Sequence, residues 1–256
     1  MNKNVSFLKI ALIVLCVGFL FYKVMGSSEK GFIKRAITHQ KYARYTEAIE
    51  SYEKALDKNR KNHTAYFNIA LCYHKLNKNN EAIAALYNAV KYRPDFFDAY
   101  FVLGYIQAEE QRFGKALETF SEARTLQPES EDVYFNIANI YNSMGKYDNA
   151  IHAYKKVIEF KPDWFLPYYH IGVVYYSAGR LDEAVDTFKH VEELEPYYTD
   201  TYSNLAVIFE EKGDLESALY YWKKRIDTAD PKDQKLIAVQ ARYLQTLEAM
   251  KANEKV

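Results

Sequence analysis

Cysteine is almost absent, with Cys16 and Cys72 the only two in 256 residues. That excludes a disulfide framework and a cysteine-built zinc site. Glycine (9) and proline (6) are also scarce, which speaks against an all-β fold with its many turns. Net charge is missing, because 34 Lys and Arg meet 34 Asp and Glu. A nucleic-acid binder needs surplus cations to displace the counterions of phosphate, so that class is set aside. No phosphate-cradling loop of the form G-x-x-x-x-G-K-[ST] or G-x-G-x-x-G occurs, and neither do H-E-x-x-H or G-x-S-x-G. The six histidines are scattered without ligand spacing. The expectation is therefore no enzyme, no catalytic residue, no cofactor and no metal.

What is present is apolar and aromatic. Apolar residues make up 49% and charged residues 27%, which excludes a disordered chain. Aromatics reach 16%, and 24 residues are Tyr.

Ile10 to Tyr22 is an uncharged apolar run. At 1.5 Å per residue it covers only ~20 Å of a ~30 Å hydrocarbon core. Widened to Val5–Met25 it reaches ~31 Å, with Lys9 and Lys23 near its ends. Lysines there can snorkel to the interface. Residues 1–28 are thus expected to hold an N-terminal transmembrane helix that touches membrane lipid through residues 5–25. A cleaved signal peptide is the alternative, although Val24-Met25-Gly26 is a poor cleavage site. Leu15 before Cys16 is too large for a typical lipoprotein signal. Cations after the run favour a cytosolic C-terminal side, whereas a short basic tail before it suits export. The working expectation is a single-pass anchor with the soluble part on the exported side.

Pro94, Pro128, Pro162 and Pro196 are spaced 34 residues apart. A fixed period of this length means stacked supersecondary units. The frame beginning at Glu29 gives six units: 29–62, 63–96, 97–130, 131–164, 165–198 and 199–232. Slot four reads Phe32, Tyr66, Tyr100, Tyr134, Tyr168, Tyr202. Slot eight is small: Ala36, Ala70, Gly104, Ala138, Gly172, Ala206. Slot twenty is always Ala: Ala48, Ala82, Ala116, Ala150, Ala184, Ala218. Slot twenty-four is large: Tyr52, Leu86, Phe120, Tyr154, Phe188, Trp222. Small residues let two helices approach, large ones fill the gaps, and proline closes each second helix.

These slots resemble the tetratricopeptide repeat family over about four-fifths of the chain. Arg60 and Asp230 replace the terminal proline in the first and last units. The resemblance implies an all-α fold, a right-handed α-solenoid of six helix-turn-helix units. The fourth-slot tyrosines are expected in the core. After Asp230-Pro231, Leu236, Val239, Tyr243, Leu247 and Met250 form one apolar stripe. Residues 233–256 are expected to be a C-terminal capping helix that is polar elsewhere.

The resemblance also implies a concave groove lined by slots two, five, six, nine, twelve and thirteen. Slot five reads Ile33, Phe67, Phe101, Phe135, Tyr169, Ser203. Slot nine reads Ile37, Leu71, Tyr105, Asn139, Val173, Val207. Slot six holds Asn68, Asn136 and Asn204, interrupted by Val102 and His170. A side-chain amide donates and accepts, so it can pair with an extended peptide backbone of any sequence. The candidate partner-binding groove is Phe67, Asn68, Leu71, Phe101, Tyr105, Phe135, Asn136, Asn139, Tyr169, His170, Val173 and Asn204. The carboxylate clamp of chaperone-binding relatives looks absent, because Phe67, Phe101, Val102 and Phe135 stand in its slots.

Charge is uneven. Residues 1–96 carry 16 Lys and Arg against 7 Asp and Glu, and residues 97–232 carry 14 against 24. The basic end suits anionic lipid, and the dipole suits a homo-oligomer. The expected function is a non-catalytic, membrane-tethered scaffold that binds a protein or peptide in its groove. Alternatives are a self-assembling structural protein and an accessory subunit of a membrane enzyme or secretion complex.

Overall fold

The computed structural model describes residues 28–230 and 232–253. The expected anchor, residues 5–25, lies outside them, as does Pro231. Among the described residues there are thirteen helices and no strand. None of these helices is long and apolar enough to cross a membrane.

The chain divides into two compact units, Met1–Pro128 and Glu129–Val256. The first holds α1 (Glu29–Lys41), α2 (Tyr45–Leu56), α3 (His63–Lys75), α4 (Asn79–Tyr92), α5 (Phe97–Glu109) and α6 (Phe113–Leu126). The second holds α7 (Glu131–Ser143), α8 (Tyr147–Phe160), α9 (Phe165–Ser177), α10 (Leu181–Leu194), α11 (Asp200–Glu211), α12 (Leu215–Asp227) and α13 (Leu236–Asn253). First helices open at 29, 63, 97, 131, 165 and 200, in step with the sequence period. Each of α4, α6, α8 and α10 ends two residues before its proline.

Every pair turns at one residue with positive φ. These are Ala43 (55°), Asn77 (58°), Gln111 (56°), Gly145 (69°), Gly179 (72°) and Gly213 (75°). The next residue's N–H reaches back over the turn, as Arg44 N–H does to the His39 carbonyl (2.9 Å). This left-handed closure satisfies the last helical carbonyls and sends the second helix back along the first.

The core of each unit is built from the expected slots. All six slot-twenty alanines are fully buried, and the large side chains of slot twenty-four are buried with them. Slot eight is buried throughout. Its glycines have a specific cause. A Cβ on Gly104 would lie 3.0 Å from Phe120 Cζ, and one on Gly172 would lie 2.8 Å from Phe188 Cε1. Where slot eight is glycine, slot twenty-four is phenylalanine.

The fourth slot corrects its expectation. Only Tyr202 is buried; Phe32, Tyr66, Tyr100, Tyr134 and Tyr168 are half-buried. Three of these part-exposed rings lie against the second helix of their own pair, Tyr168 meeting His190 edge-on at 4.8 Å. Tyr66 stacks on Tyr92 (5.6 Å) and Tyr134 tilts on Phe160 (5.7 Å). Partial exposure suits an amphipathic ring at the edge of a thin core.

Helix α13 buries Val239 and half-buries Leu236, Tyr243, Leu247 and Met250, the expected stripe. Its other faces are not uniformly polar, since Ile237 and Leu244 are exposed.

Candidate protein-binding surface

In the first unit, Phe67 and Phe101 are half-buried rather than open. Phe67 tilts against Phe96 (5.0 Å), which also carries the Arg93 guanidinium at 5.0 Å. Phe101 stacks on Phe97 (6.0 Å) and sets its edge on Phe120 (5.9 Å). Leu71 is half-buried. Tyr105 is 40% exposed and meets His74 edge-on (6.2 Å). A hydrogen bond with Glu109 pushes the Tyr105 hydroxyl above its ordinary pKa.

In the second unit, the candidates converge. Phe135 touches Tyr154 (5.5 Å), Trp164 (5.2 Å) and His170 (5.2 Å). His170 lies parallel to Tyr154 (5.6 Å) and meets the edge of Tyr169 (5.6 Å). Tyr169 continues to Phe188 and Tyr198. Burial among these rings pushes the His170 imidazole below its usual pKa. Val173 packs on the core beside them.

The amides divide by role. Asn68 donates to the Thr64 carbonyl (2.8 Å) and Asn136 donates to the Asp132 carbonyl (2.8 Å), each on its own helix. Their Oδ1 atoms accept no hydrogen bond among the described residues and remain available. Asn204 is committed to the Tyr169 hydroxyl (3.1 Å). Asn139 accepts from the Tyr154 hydroxyl. The expected ladder therefore reduces to Asn68 in one unit and Asn136 in the other.

The sequence reading missed slot thirty-four. Phe96, Trp164 and Tyr198 stand there, and each packs on the slot-five ring of its own repeat. The same slot caps the next first helix. Asn62 and Ser130 cap with a side-chain oxygen, accepting from Ala65 N–H (2.8 Å) and Val133 N–H (3.4 Å). Phe96 and Trp164 offer no such cap. Losing a cap costs about 1 kcal/mol, which the ring contact at slot five offsets. The signal was readable as an aromatic appearing where a capping residue belongs. Beside Trp164, a cleft of about 520 Å³ is lined by Phe160, Lys161, Pro162 and Asp163. Lys161 lies 5.7 Å over the Trp164 ring and pairs with Glu131. No metal-holding group of His, Cys, Asp or Glu forms among the described residues.

Short helix pairs recurring every 34 residues define a helical-repeat protein. Tetratricopeptide repeat models match residues 44–77 and 138–179, residues 75–131, and residues 167–198. The chain therefore carries tetratricopeptide repeats. A search of curated proteins gives no match. Among solved structures, the chain is similar to MamA at 28% identity, with a TM-score of 0.63 over 67% of this chain and 94% of that one. It shares the fold of the C-terminal part of a repeat protein from Cytophaga hutchinsonii, at 22% identity and a TM-score of 0.72 over 82% and 84% of the two chains. It also shares the fold of YrrB, described as a TPR protein with an unusual peptide-binding site, at 23% identity and a TM-score of 0.58 over 79% and 99%.

Proposed function

We propose that the protein is a non-catalytic scaffold, tethered to a membrane by residues 5–25, whose first-helix faces hold an extended segment of a partner protein. Its repeats are the six 34-residue units of the sequence frame. Tetratricopeptide proteins mediate protein–protein interaction, and YrrB is described as having a peptide-binding site. One observation carries the reading. The slot-five rings are braced from behind by slots twenty-four and thirty-four, yet stay part-exposed beside the open Oδ1 atoms of Asn68 and Asn136. Rings held in place lose little entropy when a partner covers them. The amide oxygens can accept backbone N–H groups.

The test is selection of displayed peptides on the full chain held in nanodiscs. Hits should lose about tenfold or more in affinity with Asn68→Ala and Asn136→Ala combined, about the cost of losing buried polar contacts. Binders indifferent to that pair would sink the reading. Deletion of residues 1–27 should release the protein from vesicles in flotation; continued flotation would remove the tether.

A second reading, assembly of copies through unlike charge, is favoured by the basic residues 1–96 and acidic residues 97–232. Its association should weaken sharply with salt in light scattering.

A further inference from the structure

Helix α13 continues the register of the first helices. The next 34-residue step places slot one at Asp233. Leu236, Val239 and Tyr243 then take slots four, seven and eleven, and Val239 is buried with Tyr243 packed beside it. Ile237 and Leu244 take slots five and twelve. In three pairs the slot-five ring is covered by slot twenty-four of its own second helix, Phe101 by Phe120, Phe135 by Tyr154 and Tyr169 by Phe188. No helix among the described residues follows α13 to do this. Ile237 is 81% exposed and Leu244 56%. The last helix of a repeat stack ordinarily turns a polar face outward. Here Ile237, Ala238, Ala241 and Leu244 share the outer face with only glutamines, and Glu248 is its first charge.

We propose that this face pairs with the same face of a second copy. The two α13 helices lie antiparallel across a twofold axis, where a seventh second helix would otherwise pack. A twofold axis crossing a helix generates an antiparallel partner, the arrangement every helix pair here adopts. With Ala241 on the axis, Leu244 of one copy comes level with Ala238 of the other, large against small. Glu248 comes level with Gln234 of the second copy, between its Lys232 and Lys235. Lys232 makes no ion pair among the described residues, and Lys235 is only in an exposed pair with Asp200 at 3.2 Å. A parallel pairing would instead set Glu248 against Glu248. The stretch from Ile237 to Glu248 spans ~16 Å, so this is a small interface and a weak, reversible one.

Sedimentation equilibrium of the full chain in detergent tests it, scanned over about 1–200 µM as a weak interface requires. The mass should rise from the 30.0 kDa monomer toward twice that value. Ile237→Lys with Leu244→Lys should remain monomeric with unchanged helicity, since both residues are exposed. In a Cys16→Ala background, Ala241→Cys should cross-link to its own copy faster than Lys58→Cys, an exposed control in the first unit. Equal masses for the parent and the double lysine variant at every concentration, whether monomer or dimer, overturn the proposal. So does cross-linking of Ala241→Cys no faster than the control.

Discussion

At the scale of single residues, the pairing of slot-eight glycine with slot-twenty-four phenylalanine is the sharpest packing statement. Alanine is the better helix former by ~1 kcal/mol, so glycine must be held by space. Gly172→Ala should nonetheless lower stability by about 1 kcal/mol net, because overpacking costs about 1–3 kcal/mol and the new Cβ would sit 2.8 Å from Phe188 Cε1. Adding Phe188→Leu should recover most of that loss, copying the Ala70–Leu86 pair. Thermal melts of the two variants check this, and a higher Tm for Gly172→Ala alone would show that the ring moves freely. The alternation was readable from the sequence; the reason for glycine at these two positions was not, because it depends on how close the phenylalanine ring comes.

At the scale of elements, α13 shows how a helix with little apolar contact is kept in place. Glu210 on α11 accepts from Trp222 Nε1 (2.9 Å), from Arg242 Nη2 (2.6 Å) and from the Thr246 hydroxyl. Arg225, buried in slot twenty-seven where the other repeats carry Ala or Val, pairs with Asp233 just before α13. Burial alone would raise the Glu210 pKa, but the hydrogen bonds from Arg242, Thr246 and Trp222 outweigh it and the value falls below the ordinary 4.5. A carboxylate with a depressed folded pKa contributes stability that is present above its unfolded pKa and lost as pH falls through the folded one. Protection of the α13 amides, taken relative to their intrinsic exchange rate, should therefore fall as pH drops below about 4.5, ahead of protection in α11 and α12. Glu210→Gln should show the lowered protection already at neutral pH. Equal protection in both proteins at every pH would mean that the apolar stripe alone holds the helix. The stripe was visible in sequence, whereas nothing in the repeat pattern marks Glu210. Side chains on α12 and α13 turned it inward.

At the scale of the whole molecule, a repeat stack has no distant contacts to hide a weak junction, so each interface between neighbouring repeats counts separately. The ring cluster of the second unit is such a junction, with Phe135 and Tyr154 from one repeat and Tyr169 and His170 from the next. Burial lowers the His170 pKa from 6.5. A base whose folded pKa is depressed stays neutral in the fold while the unfolded chain takes up the proton. Stability is then full above about 6.5 and declines as pH falls toward the folded value. Urea titrations should show this decline, and His170→Gln should remove it. A pH-independent midpoint in the parent protein between those limits would refute it.

The sequence by itself determined the periodic part of this protein. Small and large residues at fixed steps of 34 set where helices begin, turn and stop, because each pair contacts only its neighbours and local pattern suffices. The tertiary structure decided which surface residues remain open. The rings of the expected groove became half-buried because neighbouring aromatics pack on them, Phe96, Trp164 and Tyr198 from slot thirty-four and Phe97 and Phe120 on Phe101. Two of the expected amides turned to neighbouring tyrosines, and Ile237 and Leu244 stayed uncovered because no second helix among the described residues packs on α13. Exposure is a property of what lies opposite a side chain, and that opposite surface comes from another helix or loop, brought there by the folding of the chain rather than by the repeat pattern itself.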